Sequence, residues 1–166
     1  MSAVESLALP ERALLARYLD TGAYTDCYSL SLECAVSQAE YVEAFYTSWV
    51  FKLERIILKW LAAKPSTDAE AKLLAAGTIH AFAAWTVEDR SPDQLLMCDF
   101  QGNTRSWFMT EPAGREGGRA TRLYFGSAVV PVHRAPFRAL LGFHKLYSRV
   151  LLRAAARRLV RGIAQR

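Results

Sequence analysis

Apolar positions recur at two periods along this chain, and the changes of period divide it into a helical first part, a strand-rich middle and a helical end. The clearest run is residues 136–161, long enough for about seven helical turns at ~1.5 Å per residue. At 100° per residue Phe137, Leu140, Leu141, His144, Tyr147, Ser148, Leu151 and Ala155 share one face, while Arg138, Lys145, Arg149 and Arg153 gather on the other. Such a stripe requires a broad apolar surface to lie on. The middle of the chain is expected to supply it as an antiparallel sheet.

Before that sheet, Pro10 starts a short helix over residues 11–20 that Thr21-Gly22 ends, and residues 1–22 form an N-terminal helical extension. Residues 26–33 then alternate, with Tyr28, Leu30 and Leu32 against Ser29, Ser31 and Glu33, as a half-buried strand does. Ser37 and Glu40 have the spacing of a capping box, as do Thr67 and Glu70, so helices begin at both. The first continues past a kink near Thr47-Ser48, with Trp49, Leu53, Ile56, Ile57, Trp60 and Leu61 on one face, until Lys64-Pro65; the second closes at Gly77.

From residue 78 to 131 the period is two. Four strands fit, at 79–88, 94–100, 104–110 and 120–130, joined by turns rich in Gly, Pro, Asp and Asn. With the strand at 26–33 the sheet has about five. A three-residue loop at 101–103 sets Asp99 opposite Arg105 and Met97 opposite Trp107, and a five-residue loop at 89–93 sets Trp85 opposite Met97. One face then carries Trp85, Val87, Leu95, Met97, Trp107, Met109, Leu123 and Phe125, and the last helix is expected to cover it. The fold expected is a single α+β domain over 1–166, its antiparallel sheet wrapped on the long C-terminal helix.

The order of strand, helices, meander and long last helix resembles the helix-grip fold of the START-like superfamily (SRPBCC), which includes polyketide cyclases. The runs FAAWTVEDRSPDQLLMCDFQGNTRSWFMTEP, TRLYFGSAVVP and FRALLGFHKLYSRVLLRAA are also similar to bacterial proteins of unknown function, over roughly residues 24–159. The superfamily resemblance implies a cavity between sheet and C-terminal helix that takes small apolar ligands. It brings no catalytic motif and no residue roles.

Charge changes this picture at one place. The net +5 is split unevenly: no Asp or Glu follows Glu116, so the last fifty residues carry +11 and the first 116 carry −6. Either the two halves complement one another or the basic end meets an anionic partner. Lys145, Arg149, Arg153 and Arg157, at i, i+4 spacing, are the candidates for an anionic membrane surface; the competing assignment is a solvated face. Nucleic acid is disfavoured because aromatics are not interleaved with these cations. Three cysteines, Cys27, Cys34 and Cys98, form no C-x-x-C pair, which argues against a disulfide scaffold or zinc site. With Glu5 and Glu11 where a signal peptide would be basic, and no apolar run long enough to span a membrane, a cytoplasmic location is expected.

The ligand site expected from the register comprises Trp85, Met97, Trp107, Phe125, His144 and Tyr147, with Asp99 and Arg105 as polar anchors. Each has a purely structural alternative: the aromatics as core, His144 as a satisfied core residue, and Asp99–Arg105 as a half-solvated cross-strand pair. His144 with Asp99 could also do acid–base work in a cyclase-like or hydrolytic enzyme. The run Phe125-Gly126-Ser127-Ala128 lacks the G-x-S-x-G elbow of a serine hydrolase, and Gly114–Gly118 matches no phosphate-binding loop. No cofactor is expected, and homo-oligomerisation through Leu96, Phe100 and Phe108 is left open.

Overall fold

The computed structural model describes residues 1–52, 66–114, 119–130 and 137–165, with the backbone alone for 137–145. One antiparallel sheet runs through it, built from β1 (Glu5–Ser6), β2 (Tyr24–Leu32), β3 (Ala81–Phe82), β4 (Trp85–Ser91), β5 (Gln94–Asp99), β6 (Thr104–Pro112) and β7 (Thr121–Val129). The strand order is β1-β2-β7-β6-β5-β4-β3, so β2 closes against the last strand while β3 to β7 follow as a meander. Helices α1 (Gln38–Tyr46), α2 (Asp68–Ala75) and the C-terminal α3 (Phe137–Ala164) complete an α+β fold, and residues 49–52 are helical as well. A 3-10 helix, Leu14–Thr21, stands where the first helix was expected, and Gly22 ends it at φ 75°.

The sheet has seven strands rather than about five, for two local reasons. Glu5 and Ser6 pair with Ser29 and Tyr28, a two-residue strand too short to show any period. The expected strand at 79–88 is broken by a tight turn at Ala83-Ala84, where Ala83 takes φ 53°, into β3 and β4. Both capping boxes form: Ser37 accepts from the backbone of Glu40, Thr67 from that of Glu70, and each glutamate reaches back to its cap. The continuation of the first helix through Leu53, Ile56, Ile57, Trp60 and Leu61 lies outside the described residues, as do the loop 115–118 and the connector 131–136.

The register corrects the expected face. β5 stops at Asp99 and β6 starts at Thr104, so the loop has four residues, not three, and Cys98, not Asp99, faces Arg105. Trp107 accordingly faces Leu96 on β5, instead of Met97, and Gly126 on β7. A one-residue change turns every β6 side chain over. At the other hairpin β4 runs on to Ser91, leaving a two-residue turn, and a bulge at Glu88 restores the alternation. Val87 therefore meets Met97, and Trp85 meets Asp99. Trp85 and Val87 keep the expected face, two residues out of register.

Each side of the sheet has its own core. On the helix side Tyr28, Leu30, Leu95, Met97, Phe108, Leu123 and Phe125 pack with α1, α2 and the Leu151–Leu159 part of α3. The C-terminal helix does not cover this face alone. Tyr41, Phe45 and Tyr46 of α1 enter it, with Phe45 stacked 5.0 Å from Phe125 and edge-on 4.6 Å from Phe108. On the opposite side Leu96, Trp107, Met109, Tyr124 and Ala128 are covered by the 3-10 helix through Leu15. Gln94 ties that layer down: its Oε1 accepts from the backbone of Leu14 (2.9 Å) and from Trp107 Nε1 (2.8 Å), and its Nε2 donates to the Arg12 carbonyl (3.0 Å). Of the residues weighed as a dimer contact, Leu96 is thus covered by the 3-10 helix and Phe108 faces the other core, while Phe100 is 56% exposed.

Gly126 is where β2, β6 and the 3-10 helix come closest. A Cβ there would lie 2.9 Å from the Asp26 carbonyl, from Leu15 and from Trp107. Two of these neighbours are packed side chains and the third is backbone, so none can give way cheaply. Gly126→Ala is expected to destabilise the protein by about 1–3 kcal/mol, read as a lower urea midpoint at unchanged slope.

Candidate functional site

With the register known, the helix-facing side of the sheet divides into rows of side chains across neighbouring strands, ~4.8 Å apart. One row contains Tyr24, Val129 and Thr104, with Asp99 and Trp85 paired at its far end. Beside it run Asp26, Ser127, Ser106, Met97 and Val87. The next, with Tyr28, Phe125, Phe108 and Leu95, is apolar apart from one phenol. The face therefore grades from polar to apolar along the strands. The apolar end is filled by α1 and the second half of α3.

Where the two ends meet there is a cavity of about 170 Å³. The sheet contributes Trp85, Asp99, Thr104, Ser106 and Phe125 to its wall; α1 contributes Phe45 and Tyr46, and the helical residues 49–52 after it contribute Phe51; α3 closes it with Tyr147, Ser148 and Leu151. Apolar rings thus line most of it, with hydroxyls and one carboxylate at the polar end. Asp99 Oδ1 accepts from the backbone N–H of Asn103 (2.8 Å), a bond that also forms the β5–β6 turn. Its second oxygen takes no hydrogen bond from any described residue.

The expected site residues are split by the register. Trp85, Asp99, Phe125 and Tyr147 reach the cavity, and Met97 lies fully buried in the same core without touching it. Trp107 and Arg105 are on the opposite side of the sheet because β6 is turned over. Arg105 binds Glu88 instead, with Nε 2.8 Å from Glu88 Oε2 and 2.8 Å from the Tyr18 hydroxyl, which donates to Glu88 Oε1 at 2.5 Å. Its guanidinium also stacks over the Tyr18 ring at 4.9 Å. The side chain of His144 lies outside the described residues, so the acid–base pairing with Asp99 has only its carboxylate at the cavity.

Sequence reasoning missed Ser106, Thr104 and the α1 aromatics as wall residues. The first two follow from the four-residue loop. Phe45 and Tyr46 could have been found from α1 itself, whose residues Tyr41, Val42, Ala44, Phe45 and Tyr46 are all buried, as in a helix enclosed on most sides. Among the described residues no cluster of His, Cys, Asp or Glu could hold a metal.

The basic face of α3 is placed as expected where it can be seen. Arg149, Arg153 and Arg157 are exposed, and the side chain of Lys145 is outside the described residues. Ion pairs form within the first 116 residues and leave that half's net −6 unchanged. Arg12 pairs with Asp93, Arg17 with Asp89, Arg105 with Glu88 and Lys52 with Asp68, and no ion pair among the described residues involves an arginine of α3. No described helix is long and apolar enough to cross a membrane.

Burial shapes the titration of two phenols in the helix-side core. Loss of hydration, helped by the neighbouring Asp26 carboxylate, pushes the Tyr28 phenol up to about 12, and Tyr41, completely enclosed, is raised as well. The folded state thus holds a proton on Tyr28 that the unfolded chain releases near 10. Its contribution to stability is complete below pH 10 and is lost as pH rises to 12. Urea midpoints measured across that interval should fall, and should fall less steeply in Tyr28→Phe.

No family model matches the chain, and no curated protein matches it. A comparison of folds finds similarity to CalU16 from Micromonospora echinospora, 13% identical, with 98% of each chain covered and a TM-score of 0.38. At that TM-score the likeness carries no argument about fold family or activity.

Proposed function

We propose that this protein binds a small aromatic or otherwise apolar molecule in the cavity between its sheet and C-terminal helix, in a helix-grip-like arrangement of the START-like kind. The observation that carries this is the gap of about 170 Å³ left in a core otherwise filled by aromatic and aliphatic packing. A void near 150 Å³ is known to accept a benzene-sized molecule, whereas drug-sized ligands need roughly 300 Å³ or more. The ligand is therefore of one or two rings, or an equivalent short chain. Hydroxyls of Thr104, Ser106 and Ser148 at one end would orient a polar substituent.

Native mass spectrometry of freshly purified protein should show extra mass that disappears on denaturation. Ser148→Leu, which places a side chain in the gap, should abolish that adduct while the protein stays folded by circular dichroism. An unliganded mass for the wild type, together with no binding of benzene-sized probes, would overturn the proposal.

A second reading has its own observation. Arg149, Arg153 and Arg157 share the exposed face of α3 with Leu146 (63% exposed), Val150 (37%) and Val160 (43%). Cations interspersed with exposed aliphatics suit the interface of an anionic lipid surface. Co-sedimentation with phosphatidylserine vesicles at low salt should weaken about fivefold for each Arg→Ala change on this face, from ~1 kcal/mol per cation. Absence of binding at low salt removes this reading.

A further inference from the structure

The charge on the cavity wall narrows the ligand class, and this step rests on the proposal that the cavity is a binding site. We infer that the ligand carries a cationic amine, held by Asp99 against the faces of Trp85 and Tyr147. Asp99 is the one charged side chain among the described residues that line the cavity. Its expected partner, Arg105, is on the far side of the sheet and already bound to Glu88. No described cation pairs with Asp99, and one of its oxygens is without a hydrogen bond among those residues.

A partly buried carboxylate on the wall of an aromatic cavity, with no described cation beside it, is a ready partner for a cation. An ammonium group supplies one, and charge-assisted hydrogen bonds of this kind are about twice as strong as neutral ones. The setting favours an amine attached to a ring. Trp85, the cross-strand partner of Asp99, and Tyr147 from α3 both line the same cavity, and the faces of such rings attract a cation. An anionic ligand would meet the opposite: a fixed negative charge at the polar end, and no described cation to receive it.

Long-range charge works against a false positive. The protein is +5 overall, so non-specific attraction favours anions, and a preference for amines has to come from a local group.

Three probes of one shape test this by isothermal titration at neutral pH: benzylamine, benzyl alcohol and benzoate. Benzylamine should bind about tenfold more tightly than benzyl alcohol, the difference expected for hydrogen bonds to a charged group, and benzoate more weakly than either. Asp99→Asn keeps a side-chain oxygen for the Asn103 N–H and should bring benzylamine to within about twofold of benzyl alcohol. Equal binding of amine and alcohol by the wild type overturns the inference but leaves the cavity proposal intact. Binding of none of the three overturns both. Since the wild-type series decides by itself, failure of the variant to fold does not rescue the inference.

Discussion

The β5–β6 turn is the constraint on which the rest of the structure depends. Asp99 accepts from Gly102 through its main-chain oxygen (3.0 Å) and from Asn103 through its side chain (2.8 Å), and Gly102 takes φ 73°, a conformation that costs glycine little. This fixes four residues between the strands. Trp107, Met109 and Arg105 then go to one side, and Phe108 and Ser106 to the other. Because side chains alternate strictly, no intermediate arrangement exists: a three-residue loop would exchange a fully buried tryptophan for a phenylalanine against α1. Gln94 fits only the observed choice, since its amide bonds the Trp107 indole and the first turn of the 3-10 helix together.

The two cores that result are unequal in construction. The outer one is sealed by a short segment held by polar contacts at its edges, Arg12 to Asp93 and Arg17 to Asp89, both largely solvated and individually weak. Packing of Leu15 against Trp107 and its neighbours has to supply most of its stability. The inner core is sealed by α1 and α3 together, and ring contacts among Phe45, Tyr46, Phe51, Phe82, Phe108 and Phe125 fill it to the edge of the polar rows. A burden also falls on Arg90, whose guanidinium donates to the Leu74 carbonyl (2.7 Å) at the end of α2. Burial lowers its pKa, and the carbonyl end of the helix is a favourable place for its charge.

What could be read from sequence depended on how local the determinant was. Both capping boxes are contained within four residues and were legible; so was the long helix, whose stripe repeats over many turns. The meander was legible as an alternation, but not its register. Phe100 continues the apolar pattern of β5 although it is over half exposed, so pattern alone placed it in the strand and shortened the loop by one. The bulge at Glu88 and the strand at Glu5–Ser6 leave no periodic trace. At the site, Trp85, Asp99, Phe125 and Tyr147 came from strands or helix faces whose parity was right; Arg105 and Trp107 both sit on β6, and a single error misplaced both.

That error also bears on the electrostatics. Had Arg105 faced Asp99, the polar end of the inner face would have held a neutral pair. The observed register instead takes Arg105 to Glu88 and the Tyr18 hydroxyl, both of which accept from its Nε. Arg149, Arg153 and Arg157, the described cations of the basic stripe, are exposed on α3 and do not line the cavity. These cations face solvent, while the Asp99 carboxylate stands at an aromatic gap. A protein gains nothing in stability from leaving a half-buried carboxylate without a counter-charge. The register that maximises packing produces this arrangement, and it leaves Asp99 as the group on that wall best able to select a ligand by charge.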